Sequence, residues 1–163
     1  MTSDVSETAS AQPVPLPAAM QEIAEDFADL LAPQRLELLL EFSEGLPELP
    51  ERYAGSLDTM EQVHECQSPI FLVVEVEDEP ADQPGERVVR LFFSAPAEAP
   101  TTRGFAGILH EGLDGLTAAE VLAVPEDAPY RFSLGEAVSP LRLRGMVGML
   151  SRIKRQVALK IRS

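Results

Sequence analysis

Ile70-Phe71-Leu72-Val73-Val74-Glu75-Val76-Glu77 and Arg87-Val88-Val89-Arg90-Leu91-Phe92-Phe93 are the two stretches that decide the fold. Each is short and rich in β-branched and aromatic side chains, the composition of a strand on a half-buried sheet. Between them, Asp78–Glu86 contains Pro80, Pro84 and Gly85 and reads as a loop. A connection this short joins neighbouring strands, so the spacing predicts an antiparallel hairpin.

Working outward, both flanks carry helical spacing. Upstream, Met20, Ile23, Phe27, Leu30 and Leu31 form an apolar stripe, and Pro33 interrupts it. Leu36, Leu39, Leu40 and Ser43 continue a second helix, closed by Gly45 and Pro47. Leu46-Pro47-Glu48-Leu49-Pro50 is predicted to be a rigid extended connection, because proline fixes its own φ and restricts the residue before it. A short third strand is expected around Gln62–Glu65. Downstream, Thr101 is placed as the cap of a helix carrying Phe105, Ile108, Leu109 and Gly112. Thr117 and Glu120 fit a capping box. Residues 125–134 show no clear period. Met146, Leu150, Ile153, Val157 and Ile161 form the stripe of a long closing helix, with Arg152, Lys154 and Arg155 expected on its solvent side. Helices, then a small antiparallel sheet, then helices indicate an α+β fold with helices on one face of the sheet.

At 163 residues, 45% apolar and 25% charged, the chain has the size and composition of one globular domain. Residues 1–17 hold no Lys or Arg and include Pro13, Pro15 and Pro17; they read as a disordered tail before a domain spanning 18–163. The longest apolar runs are about five residues, far short of the roughly 20 needed to span a bilayer. With no secretory signal visible, a cytoplasmic location is expected. The net charge of −14 argues against nucleic acid and anionic membranes as partners, since both are bound mainly through Lys and Arg. The charge is uneven: Ser139–Ser163 holds seven basic residues and no acidic one, leaving six basic and 27 acidic residues elsewhere. The C-terminal segment is therefore expected to pack across an acidic surface.

The single cysteine, Cys66, excludes an intramolecular disulfide and a cysteine-ligated zinc or iron–sulfur site. It reads either as a small buried hydrophobe or as a reactive thiol. Its setting, Val63-His64-Glu65-Cys66-Gln67-Ser68-Pro69, is polar and lies in a connection before a strand, which favours an exposed thiol on a loop. His64, two residues away, shares a face with Cys66 in an extended chain and so is positioned to lower the thiol pKa or relay a proton; the alternative is a structural histidine packed on the sheet. His110 has no visible partner. Gln67 and Ser68 are either hydrogen-bond donors around the sulfur or turn residues ahead of Pro69. Arg142, at a helix start, is mildly disfavoured there by the macrodipole, which hints at another reason for its presence. The acidic loop at 75–86 lacks calcium-loop spacing and reads as a solvated hairpin tip.

Val63-His64-Glu65-Cys66-Gln67-Ser68 resembles the V-H-G-C-Q-S signature of the SufE family, the sulfur-acceptor proteins of iron–sulfur cluster assembly. Four further strings agree in order: Leu46-Pro47-Glu48-Leu49-Pro50 with L-P-x-L-P; Arg103-Gly104 with a K/R-G pair opening a helix; Leu116–Leu122 with a T-P-E-E-I-L helix start; and Val138–Gly145 with L-S/T-P-x-R-x-x-G. The resemblance covers about residues 20–161. Glu65 stands where the family has Gly, and a carboxylate there disfavours the thiolate. Of the family's D-S-D corner, matched by Pro96-Ala97-Glu98, only Glu98 keeps a carboxylate.

The resemblance implies a SufE/IscU-like fold, a three-stranded antiparallel sheet packed against helices. It implies that Cys66 accepts persulfide sulfur from a SufS-type cysteine desulfurase, stimulates that enzyme and delivers sulfur to an iron–sulfur scaffold complex. The protein itself would have no turnover and no cofactor, pyridoxal phosphate belonging to the desulfurase. Cys66, Arg142 and His64 are the implied reactive set, Arg142 steadying the thiolate or gripping the partner. Glu65, Gln67, Ser68, Glu98 and Arg103 are the implied docking residues, on a monomer or weak dimer. A loop that tucks the sulfur away at rest would limit oxidation. A cluster scaffold is rejected for want of thiolate ligands. Two other readings remain: a thiol hydrolase using Cys66 with His64 or His110, which needs a base in reach and an oxyanion hole, and a non-catalytic interaction module.

Overall fold

The hairpin forms as its composition predicts. In the computed structural model, which describes residues 13–162, strand β2 (Phe71–Val76) pairs antiparallel with β3 (Val89–Ser94), Val74 opposite Leu91 and Leu72 opposite Phe93. Side chains alternate across the sheet. Leu72, Val74, Val89, Leu91 and Phe93 point into the core, and Phe92 and Arg90 point away from it. A two-residue strand β1 (Glu61–Gln62) adds to the other side of β2, giving the order β1-β2-β3. It starts one residue before the expected Gln62–Glu65 and ends three residues short of it, because the chain turns at once: the Cys66 N–H donates to the Val63 carbonyl at 3.1 Å.

Among the described residues, six helices surround this sheet. α1 (Ala18–Ala28) buries Met20, Ile23 and Phe27, as its period requires. Its stripe stops there. Leu31 is 73% exposed, because it sits outside the helix as the N-cap of α2 (Ala32–Gly45). α2 buries Leu39 and Ser43, while Leu36 and Leu40 face solvent. The prolines of 46–50 hold the extended link to a short helix α3 (Glu51–Ala54). α4 (Pro100–Leu113) starts earlier than the Thr101 cap predicts: Ala99 is the N-cap and Pro100 opens the helix, where its missing N–H costs nothing. Thr117 does cap α5 (Ala118–Leu122), its hydroxyl accepting from the Glu120 N–H while the Glu120 carboxylate accepts from the Thr117 N–H. Residues 125–134 form tight turns that bury Ala128, Phe132 and Leu134.

The long closing helix α6 (Pro140–Lys160) buries Met146, Met149, Leu150, Ile153 and Val157. Its cations do not all face solvent. Arg152 and Lys154 are mostly covered, with side-chain exposures of 16% and 17%, because acidic partners reach across to them. Arg152 pairs with Glu65 at 2.8 Å and with Glu61 at 3.5 Å, Lys154 with Glu126 at 2.7 Å, and Arg155 with Glu61. This is the acidic docking that the charge asymmetry predicts. α6 also covers the part of β2 that the short β1 leaves open, through Gln156 and Lys160.

Residues 1–12 of the expected tail lie outside the described residues. Within its remainder, Leu16 is buried and the Val14 carbonyl accepts from Arg131.

Candidate functional site

Cys66 sits on the turn between β1 and β2, which the Val63–Ile70 hydrogen bond (2.9 Å) closes at its base. The loop lies directly on α6, over two glycines three residues apart and so on one helix face. A Cβ on Gly145 would stand 2.8 Å from the Cys66 sulfur, and one on Gly148 would stand 2.8 Å from the Glu65 carboxyl carbon. Both contacts are closer than any side chain allows. The missing side chains form the seat of the loop.

Cys66 is half-buried. Burial pushes its thiol up to about 11, the Glu65 carboxylate adds to the rise, and Arg152 opposes it. The neighbouring carboxylate acts as the sequence predicts, but desolvation contributes more. In this docked position the sulfur is a protonated thiol at neutral pH.

The thiol opens onto a cleft of about 330 Å³. Glu65, Gln67 and Ser68 line one side, Glu98 and the first turn of α4 another, and Leu141 and Arg142 of α6 the third. Five of the sequence-selected residues thus converge on Cys66 from three separate elements. Arg142 is exposed, and its guanidinium makes no ion pair among the described residues. Its backbone N–H takes the Ser139 hydroxyl that caps α6, at 3.2 Å. The amino ends of α4 and α6 both border the cleft, and the positive ends of the two helix dipoles make it favourable for an anion.

Two sequence-selected residues lie apart. His64 is exposed and does not line the cleft, because the 63–66 turn breaks the alternation that would have put it on the Cys66 face. For the same reason it does not pack on the sheet. Arg103 is turned inward, donating to the carbonyls of Ser43 at 2.9 Å, Ala95 at 2.6 Å and Leu46 at 3.3 Å. It ties α4 to the end of α2 and to the end of β3 and is not a free docking cation. It forms part of the wall of a larger groove of about 790 Å³ between α2, Pro47–Leu49 and α4, which Cys66 does not line. His110 faces Asp114 at 3.8 Å, also away from the cleft. Neither histidine lines the cleft beside Cys66, so the histidine base that a hydrolase calls for is not brought to the thiol.

Arg152 and the pair Gly145 and Gly148 were not foreseen as site residues. Their signal is local: two glycines on one turn of an apolar helix, with a cation four residues after the second. Among the described residues no cluster of three or more potential metal ligands exists, and no helix is long and apolar enough to cross a membrane.

The family model for SufE, the Fe-S metabolism associated domain, matches residues 21–157. The chain belongs to the SufE family. It is 54% identical over 145 residues to an uncharacterised SufE-like protein of Mycobacterium tuberculosis, covering 89% of this chain and 95% of that one. It is 25% identical over 142 residues to SufE-like protein 1, chloroplastic/mitochondrial, of Arabidopsis thaliana, covering 86% of this chain and 35% of that longer protein. The solution structure of a hypothetical protein from Thermus thermophilus superposes with a TM-score of 0.75 at 37% identity, covering 91% of this chain and all of the other. Membership associates the chain with iron–sulfur metabolism, and the α+β fold with its three-stranded sheet and long C-terminal helix is that of a SufE-like protein.

Proposed function

We propose that this SufE-family protein is a sulfur carrier that accepts persulfide sulfur on Cys66 from a SufS-type cysteine desulfurase and passes it on for cluster assembly. The observation that supports this reading most is the convergence of Cys66 and the unpaired Arg142 on one cleft bordered by two helix amino ends. The acceptor thiol loses its proton to solvent, and the thiolate attacks the outer sulfur of the donor persulfide. The donor S–S bond breaks, its cysteine leaves as a thiolate, and Cys66 holds a new S–S bond to a terminal sulfur anion. No net oxidation occurs, so no second cysteine and no redox cofactor are required. In this reading Arg142 balances the anion, since a guanidinium keeps its charge at any working pH. The docked thiol is too basic to react well, so transfer calls for the loop to leave its seat on α6 when the partner binds. Glu98, Gln67 and Ser68 rim the opening through which the donor must approach.

The test is sulfide release from L-cysteine by a SufS-type desulfurase, with wild type and Cys66→Ser side by side. Wild type is expected to stimulate release and to gain one sulfur atom in mass on Cys66, and the variant to do neither. Stimulation that survives Cys66→Ser would refute the carrier assignment.

A further inference from the structure

The seat of the cysteine loop has a fastening of its own. The Glu65 carboxylate lies over the bare backbone of Gly148 and meets Arg152 at 2.8 Å. Arg152 is not free to follow it: the same guanidinium donates to the Gly148 carbonyl at 3.1 Å and lies 3.5 Å from Glu61 on β1. A fixed, mostly covered cation therefore holds a half-exposed carboxylate. That carboxylate belongs to the residue immediately before the thiol. With Glu65 held over Gly148, Cys66 is set one helical turn back at Gly145.

We propose that Glu65 and Arg152 form a clasp that keeps the cysteine loop docked on α6, making Glu65 a positioning residue that sets how often Cys66 is presented. The proposal gives the carrier reading a built-in resting state and takes its purpose from that reading. Its physical content does not depend on it. The clasp is an ion pair at the rim of the protein, strong enough to bias the loop and weak enough for a docking partner to open. A partner that offers its own acid to Arg152, or its own base to Glu65, would open it by exchange.

The experiment reads the thiol with no desulfurase present, so a failed transfer assay and a failed clasp are separate results. Alkylation of Cys66 by iodoacetamide is followed from pH 7 to 10 in wild type, Glu65→Gln, Arg152→Gln, Arg152→Lys and the Glu65→Gln/Arg152→Gln double variant. Hydrogen exchange of the amides at 64–68 is measured on the same samples. The two charges act on the thiol with opposite signs: losing Glu65 favours the thiolate, and losing Arg152 disfavours it. A clasp acts with one sign. Both single glutamine variants are expected to speed amide exchange at 64–68 and, at equal thiolate fraction, alkylation by roughly fivefold. The double variant should add little to either single, and Arg152→Lys should retain most of the protection. If the two single variants shift alkylation in opposite directions with exchange unchanged, the pair acts only through its field and the clasp is wrong. Additive effects in the double variant would overturn it equally.

Discussion

The sulfur of Cys66 occupies the space where the side chain of residue 145 would begin: a Cβ on Gly145 would stand 2.8 Å from Sγ. The cysteine sulfur is thus packed against helix backbone, on a surface that exists only because a glycine is there. Helix α6 and the cysteine loop cannot be considered separately.

Gly145→Ala should separate them. Alanine in a helix interior gains up to about 1 kcal/mol over glycine, while the new methyl and the docked sulfur cannot share one position. The loop is half-exposed and can move, whereas α6 is anchored by Met146, Met149 and Leu150 in the core. The expected outcome is an unchanged or slightly higher melting temperature together with faster alkylation of Cys66. A lower melting temperature with unaltered alkylation would mean that the helix gives way and the loop does not.

The docked thiol, pushed up to about 11, makes a pH prediction. Against an ordinary value of 9.0, the thiolate fraction at neutral pH falls by about a hundredfold. Alkylation at pH 7.5 should be slower than that of an unstructured peptide thiol by up to this factor and should climb steeply beyond pH 9. The linkage has a definite sign. The folded thiol binds its proton more tightly than the unfolded one, so its contribution to stability is complete below pH 9 and is lost as pH rises towards 11. Melting curves of wild type and Cys66→Ala should therefore run parallel up to pH 9 and converge or cross above it. A peptide-like alkylation rate at pH 7.5 would contradict the docked geometry.

Arg142 and Arg103 should separate activity from stability. Arg142 is exposed and unpaired, so Arg142→Ala should shift the melting temperature by less than about 2 °C, within the range of surface substitutions. Its effect should fall on desulfurase stimulation, lowered tenfold or more if it balances the sulfur anion. Arg103 holds three backbone carbonyls. Arg103→Ala leaves them without their donor and should cost roughly 2–3 kcal/mol, a drop of about 8 °C. Stimulation, scaled to folded protein, should survive. The reverse pattern would exchange their roles.

The hairpin was legible in the sequence because strand pairing follows side-chain composition and a loop of prolines and glycine. So was α6, because its apolar stripe has an unbroken period. Cys66 stood out through its polar loop. What periodicity could not supply was the exposure of individual polar groups. Arg152 and Lys154 fall on the non-apolar side of α6, but acids from distant segments cover them. Arg103 looks like a surface cation until three carbonyls converge on it. His64 was paired with Cys66 by strand alternation, and a single turn hydrogen bond was enough to undo that. The failures at Arg152, Lys154 and Arg103 are long-range contacts made by side chains whose local pattern says nothing of their partners.

Gln156 is the last such case. β1 pairs only with Phe71 and Leu72, so the Val74 N–H on the same edge of β2 lacks a strand partner. The Gln156 side chain, 8% exposed, takes it: Oε1 accepts from that N–H at 2.8 Å while Nε2 donates to Glu61 at 3.0 Å. The Val74 carbonyl accepts from Lys160. Helix α6 thus acts as the missing part of the third strand. It also fixes Glu61, and through Glu61 the position of Arg152 beneath the cysteine loop. Gln156→Met keeps the volume and removes the acceptor. It should cost about 1–3 kcal/mol, the penalty for stranding a buried N–H, visible as a lower urea midpoint and as lost exchange protection at Val74. A Val74 amide that stays protected would show that the edge is covered by something other than Gln156.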